Sequence, residues 1–327
     1  MIRAAAFFGL LGLAAAIGLI VWQGYDQVLA AFAAAGWGIV WASLFHLGPM
    51  AMSVVGWRLL WPGQNRPTFG FMFLAQWIRA SVNNLLPVAR IGGEVAAARV
   101  MIKFGWRRAP VIAGLVVETT VSVATVFALV MTGIALLALR DTQADVMQRL
   151  VIGAIATTPV IVVLAVVQKI GFFRVLARLT RLLAGEKLQH IVAHSARLDR
   201  AISTMYRRHG RVLACGAWMM ASWFAGAGGI WISLYFLGHP LSVVDCVIVE
   251  AMVQLASTAA FVVPAALGAQ EGAFLFFGAM LGLPPDMALA LALIRRCRDV
   301  IIYVPGLIVW QSIEGKWMMA KRRAKAA

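Results

Sequence analysis

Arg295, Arg296, Arg298 and Asp299 stand together inside a run that is otherwise apolar, and Glu118 stands inside another. A charged side chain carried into a bilayer costs roughly 2.5–3.5 kcal/mol on insertion scales, so residues of this kind mark functional sites by default. Arg295 and Asp299 are spaced i,i+4 and can pair, while Arg295 and Arg298, at i,i+3, share one helix face. Guanidinium forks match phosphate oxygens bidentately, which suits such a face to an anionic headgroup. Two breaks in apolar sequence supply the other candidates: 83–94 holds Pro87, Arg90, Gly92, Gly93 and Glu94, and 263–271 holds Pro264, Gly268, Gln270 and Glu271. Helices starting near Ile91 and Gly268 would offer free N–H groups to the same anion. Arg90, Arg295 and Arg298 are therefore expected to contact the headgroup. Glu94, Glu118 and Glu271 would balance or relay charge, Asp299 belongs to the same candidate substrate site, and Gln270 would satisfy exposed backbone or touch the substrate. Pro87, Gly92, Gly93, Pro264 and Gly268 shape the breaks. A second reading stays open, in which the carboxylates simply neutralise the arginines as structural pairs.

Other polar residues carry weaker signals. Glu250 and Gln254, one turn apart, are expected to make a polar contact between the two broken segments, and Arg296 is assigned to a different face from Arg295 and Arg298. His190 and His194 have the i,i+4 spacing of metal ligands but no third ligand nearby, so they read as a solvated face and no metal is expected. His46 reads as a packed residue. Cys215, Cys246 and Cys297 lie in apolar segments without CxxC spacing, which indicates neither a disulfide framework nor a zinc site. The sequence has no Walker loop, nucleophile elbow or HExxH, so it lends no support to ATP-driven or hydrolytic chemistry, and no cofactor is expected.

The elements that must position these residues are membrane elements. The 327 residues are 62% hydrophobic and 13% charged, with mean hydropathy +0.86, a composition of polytopic membrane proteins. The net charge of +16 resides in a few loops and in the tail, so it points to membrane topology and not to nucleic acid. Apolar runs predict spans at about 4–22, 37–61, 110–139, 150–168, 212–237 and 286–310. The segments 69–86 and 91–104 are too short or too interrupted to span singly. They read as two half-helices of a re-entrant hairpin, since lipid tolerates irregular backbone only where protein or a water-filled cavity surrounds it. The second break repeats the pattern: each Glu follows its Pro by seven residues, and Gly105 and Gly282 each follow their Glu by eleven. Thr68 is placed to cap the first hairpin and Asp245 stands at the equivalent place in the second.

Between 169 and 211, ten Lys or Arg face Glu186 and Asp199. Apolar residues at helical spacing there predict amphipathic helices lying on an anionic lipid surface, with Leu188, Ile191, Leu198, Ile202 and Met205 forming the second stripe. Trp37, Trp41, Trp61, Trp106 and Trp317 read as interfacial anchors, and Gly226-Ala227-Gly228-Gly229 as close helix packing. Six full spans and two hairpins that return to their own side put every basic loop, and both termini, in the cytoplasm. The expected fold is thus an all-α polytopic membrane protein, one domain over 1–327. It would hold about six transmembrane helices and two re-entrant hairpins in an inverted-topology repeat, with units 37–139 and 212–310.

At Leu86-Pro87, Gly92-Gly93-Glu94, Pro264, Gly268, Glu271-Gly272 and Arg298-Asp299, the chain resembles the flippase-like membrane domain of lysylphosphatidylglycerol synthases, most of all its free-standing, hopanoid-biosynthesis-associated members. The resemblance covers nearly the whole chain. It implies an integral protein of the bacterial inner membrane that moves a lipid, a hopanoid or an anionic or aminoacylated phospholipid, between leaflets, with Arg90, Glu94, Glu271 and Arg298 lining the path. Aminoacylating members carry a large soluble catalytic domain after the membrane part. This sequence ends at Ala327 after a short basic tail, so the expectation is a transporter and not an enzyme. Two rivals remain: a lipid-modifying enzyme using Glu94 and Glu271 as acid and base, and a non-transporting partner in a lipid-biosynthetic complex. A homodimer is compatible with each.

Overall fold

A computed structural model describes residues 36–61, 66–86, 92–139, 189–259 and 268–326. The expected spans at 4–22 and 150–168, the basic stretch 169–188, and Pro87, Arg90 and Pro264 lie outside the described residues. Within them all regular structure is helical: α1 (Gly38–Leu59), α2 (Phe69–Leu85), α3 (Gly92–Lys103), α4 (Arg108–Ala138), α5 (Gln189–Tyr206), α6 (His209–Phe236), α7 (Val243–Ala259), α8 (Ala269–Met280) and α9 (Pro285–Ala326). Of these, α1, α4 and α6 are long and apolar enough to cross a membrane. They match the spans expected at 37–61, 110–139 and 212–237 to within a few residues. The sixth expected span, 286–310, is the first part of a helix of 42 residues. At about 1.5 Å per residue that is about 63 Å, twice the hydrocarbon thickness of a bilayer, so the basic tail continues the helix instead of following it.

Local chemistry explains the element ends, and it repeats. The helices α1 to α4 run 22, 17, 12 and 31 residues, and α6 to α9 run 28, 17, 12 and 42. Long, 17, 12, long occurs twice. Each 12-residue helix ends in the same way. Gly105 (φ 93°) and Gly282 (φ 79°) take the left-handed conformation that glycine adopts without steric cost. Gly105 N donates to Ile102 O and Trp106 N to Met101 O; Gly282 N donates to Ala279 O and Leu283 N to Gly278 O. The helix starts differ from expectation in one respect. Thr68 Oγ1 accepts from Phe71 N at 3.4 Å, but in the second copy the capping residue is Ser242, whose hydroxyl accepts from Asp245 N at 3.1 Å and donates to Asp245 Oδ2 at 2.6 Å. Asp245 is the third residue of the turn, not its cap. The physical reason is a longer second break: 86–91 separates the first pair of half-helices and 260–268 the second, three residues more.

The chain divides into two compact units, one from residues 1–50, 73–100 and 224–327 and the other from 51–72 and 101–223. In the first, α7 packs on α8 and α8 on α9. Every residue of α7 from Asp245 to Gln254 is buried. A helix covered on all sides is the centre of its unit and not a wall of it. Ile78, Val82, Leu85, Ala96 and Val100 form a core with Ile302, Tyr303 and Leu307. There α9 carries Pro305, which cannot donate to the preceding turn, and Trp77 Nε1 donates to the neighbouring carbonyl of Ile302 at 2.6 Å. Gly306 lets the helices approach: a Cβ there would collide with Ser81 Oγ and lie 3.0 Å from Trp77 Nε1. Gly306→Val is therefore expected to lower stability by about 1–3 kcal/mol, read as an earlier melting midpoint in detergent; an unchanged midpoint would mean this contact is loose.

In the second unit α5 packs along α4, with Leu198, Ile202 and Met205 buried. This corrects the expectation that their stripe lies on lipid: protein covers it, and Met205 reaches Gly114. Trp61, expected as an interfacial anchor, is likewise buried, its ring 5.4 Å from Trp106 in an edge-to-face contact, whereas Trp37, Trp41 and Trp317 are exposed.

Candidate functional site

The polar residues of the first unit form a set of ion pairs and short hydrogen-bonded clusters on α2, α3, α7, α8 and α9. In the first pair Arg79 Nε, from α2, meets Glu94 Oε1 at 2.9 Å. Asn83, one turn along the same face, donates to Glu94 Oε2 at 3.1 Å and accepts from Gly93 N at 2.8 Å. The half-helices touch so closely here that a Cβ on Gly93 would meet the Arg79 carbonyl and Asn83 Cγ at 2.6 Å. In the second pair Ser257, in the helix position matching Asn83, accepts from Gln270 Nε2 at 3.0 Å. Each break is thus pinned by a side chain near the end of its first half-helix. Gly268 (φ 78°) opens α8, and its N–H donates to Glu271 Oε2 at 2.8 Å.

Glu271 also reaches outward, its Oε1 lying 2.8 Å from both Nε and Nη2 of Arg296 on α9. Glu250, buried on α7, accepts from Gln254 Nε2 at 2.8 Å and pairs with Arg295 Nη1 at 2.8 Å. Arg298 Nη2 and Nε lie 2.6 and 3.1 Å from Asp299 Oδ1. Beside them Ala42, Gly229, Ile230, Ser233, Phe274, Leu291, Ile294, Arg295 and Arg298 line a narrow cleft of about 20 Å³, room for about one water molecule. The Arg295 guanidinium stands 5.8 Å from the centre of the Phe274 ring, a cation–π contact. One turn from Ala42 on α1, His46 Nε2 is 2.9 Å from the Tyr303 hydroxyl on α9.

This arrangement revises several pairings expected from spacing. Arg295 pairs with Glu250 and not with Asp299, because Asp299 is taken by Arg298. Glu118 is buried in α4, in the other unit. Glu250 and Gln254 bond to each other along α7 and reach α9, where a contact between the two hairpins was expected. Arg296, assigned to a different face, is buried and holds Glu271. Gln270 contacts Ser257, and Glu94 is held by Arg79, a residue that spacing alone passed over. Its signal was available: a cation inside the apolar run 69–86, one turn before Asn83. Among the described residues no cluster of His, Cys, Asp or Glu could hold a metal; the side chains of His190 and His194 lie outside them.

Two guanidiniums on a cleft wall, each touching a carboxylate, form a surface whose cations can turn from that carboxylate to an entering phosphate. The comparison with known families bears on what this surface serves. The model of the lysylphosphatidylglycerol synthase TM region matches residues 9–306. The chain belongs to that family. Neither a curated protein nor a solved structure matches it. With α1, α4 and α6 apolar enough to span, this family member is a membrane protein, and its family links it to lipid metabolism or transport.

Proposed function

We propose that this family member moves a phosphate-headed lipid between the leaflets of the bacterial inner membrane, with the headgroup passing through the cleft at Arg295 and Arg298. The observation that carries this reading is the pairing of Arg298. The carboxylate it meets belongs to Asp299, its neighbour in the chain, so the pair ties no two helices together. A part-buried ion pair between chain neighbours is poorly explained by stability, since apolar packing in its place is often as stable. A ligand is the better reason for keeping it. Of the lipid classes raised by the resemblance, an anionic or aminoacylated phospholipid offers the guanidiniums a phosphate, and a hopanoid does not.

The repeated helix order supports an inverted repeat with two re-entrant hairpins, the arrangement of transporters whose broken helices meet at a central site. If the hairpins return to their own side, Gly105 and Arg200 face the cytoplasm with both termini, while Asp145 and Asp286 face the periplasm. Single cysteines at these positions, labelled in whole cells with an impermeant maleimide, check this; periplasmic labelling at 105 would mean that the first hairpin crosses. The transport reading itself is tested by purified protein in vesicles containing a chain-labelled phospholipid. Movement of the lipid in chemically unchanged form supports it. A new lipid species on chromatography would favour an enzyme working through Glu94 and Glu271, although both carboxylates are held in ion pairs.

A further inference from the structure

Resting on that reading, we infer that the transported headgroup is a zwitterion, a phosphate carrying its own ammonium group, and not a net anion. The ground is the charge balance of the described residues around the cleft. On α7, α8 and α9 the network holds Arg295, Arg296 and Arg298 against Glu250, Glu271 and Asp299, and each arginine meets one of these carboxylates within 2.9 Å. The pair Arg79–Glu94 at the other break is balanced as well. A phosphodiester monoanion entering such a network leaves one negative charge uncompensated in a medium where unpaired charge is costly.

A zwitterion avoids this by exchange. Its phosphate takes over Arg298 or Arg295 at the cleft wall, and the carboxylate released, Asp299 or Glu250, takes the ammonium. Two ion pairs stand where one stood, and the net charge of the site does not change. Phe274 provides an aromatic face beside Arg295, and the lining of Ala42, Ile230, Leu291 and Ile294 is apolar, a surface suited to the methylene stem between phosphate and ammonium.

The test compares two trace probes in the same proteoliposomes of phosphatidylethanolamine and phosphatidylglycerol in equal parts: phosphatidylethanolamine and phosphatidylglycerol, each with a nitrobenzoxadiazole group on the acyl chain. Dithionite quenching of the outer leaflet reads the transfer rate. The ethanolamine probe is expected to move about tenfold faster than the glycerol probe, a factor equal to about 1.4 kcal/mol. A glycerol probe moving as fast or faster would overturn the inference while leaving the transport reading intact, and would bring the charge of Arg90 into the path. If neither probe moves above protein-free vesicles, the transport reading falls and this inference with it. Glu250→Gln gives the network one net positive charge, and is expected to raise the glycerol-to-ethanolamine rate ratio about tenfold. An unchanged ratio in that folded variant would also overturn the inference, and if the variant does not fold, the wild-type ratio decides.

Discussion

Glu250→Gln is expected to cost about 3–5 kcal/mol of stability, because it removes the partner of Arg295 at a largely buried position. The carboxylate is buried, on a helix buried around its whole circumference, and it accepts from Gln254 as well as from Arg295. Its pair with Arg295 joins α7 to α9, so breaking it loosens two elements and strands a guanidinium. The double variant Glu250→Gln/Arg295→Gln removes both charges and is expected to recover most of the loss, since neutral replacement of a buried pair is often close to isoenergetic. Thermal or denaturant unfolding in a mild detergent reads both. A single variant as stable as the wild type would show that Arg295 finds another anion or reaches water.

Arg298→Gln breaks no contact between helices, although it leaves Asp299 without its partner at some cost in stability, and is expected to slow leaflet transfer at least about 30-fold, the kinetic equivalent of about 2 kcal/mol. Its carboxylate partner is the adjacent residue, so no helix contact depends on the pair. The guanidinium lines the cleft directly. Arg298→Lys keeps the charge but loses the planar fork, and is expected to recover part of the rate. Full activity in Arg298→Gln, with unchanged protein insertion, would remove Arg298 from the path.

The contrast between these residues shows how far the sequence could be read. The glycine helix ends were legible because they depend on local chemistry. Gly105 and Gly282 stand eleven residues after Glu94 and Glu271, and both close a 12-residue helix with the same two hydrogen bonds. The spans at α1, α4 and α6 followed from length and hydropathy. Partner choice was not legible, because it depends on how helices are rotated against one another, and spacing within one helix says nothing of a neighbour's face. Arg295 could meet Asp299 on its own helix, yet α7 brings Glu250 to it. The same limit hid Arg79, fifteen residues from the carboxylate it holds. Placing Asp245 at the position equivalent to Thr68 also misled, since 260–268 is three residues longer than 86–91 and the cap falls on Ser242. In α5 the amphipathic pattern correctly marked a buried stripe, but periodicity cannot tell a lipid surface from the flank of α4.

Leaflet transfer by the double variant Arg298→Gln/Asp299→Asn tests the headgroup site most directly. With both charges gone, no carboxylate is stranded, so a loss of rate cannot be blamed on an uncompensated charge. A variant that inserts and unfolds like the wild type but moves chain-labelled phospholipid no faster than protein-free vesicles is the predicted result. Transfer at the wild-type rate would contradict it, and would reduce Arg298 and Asp299 to a structural pair.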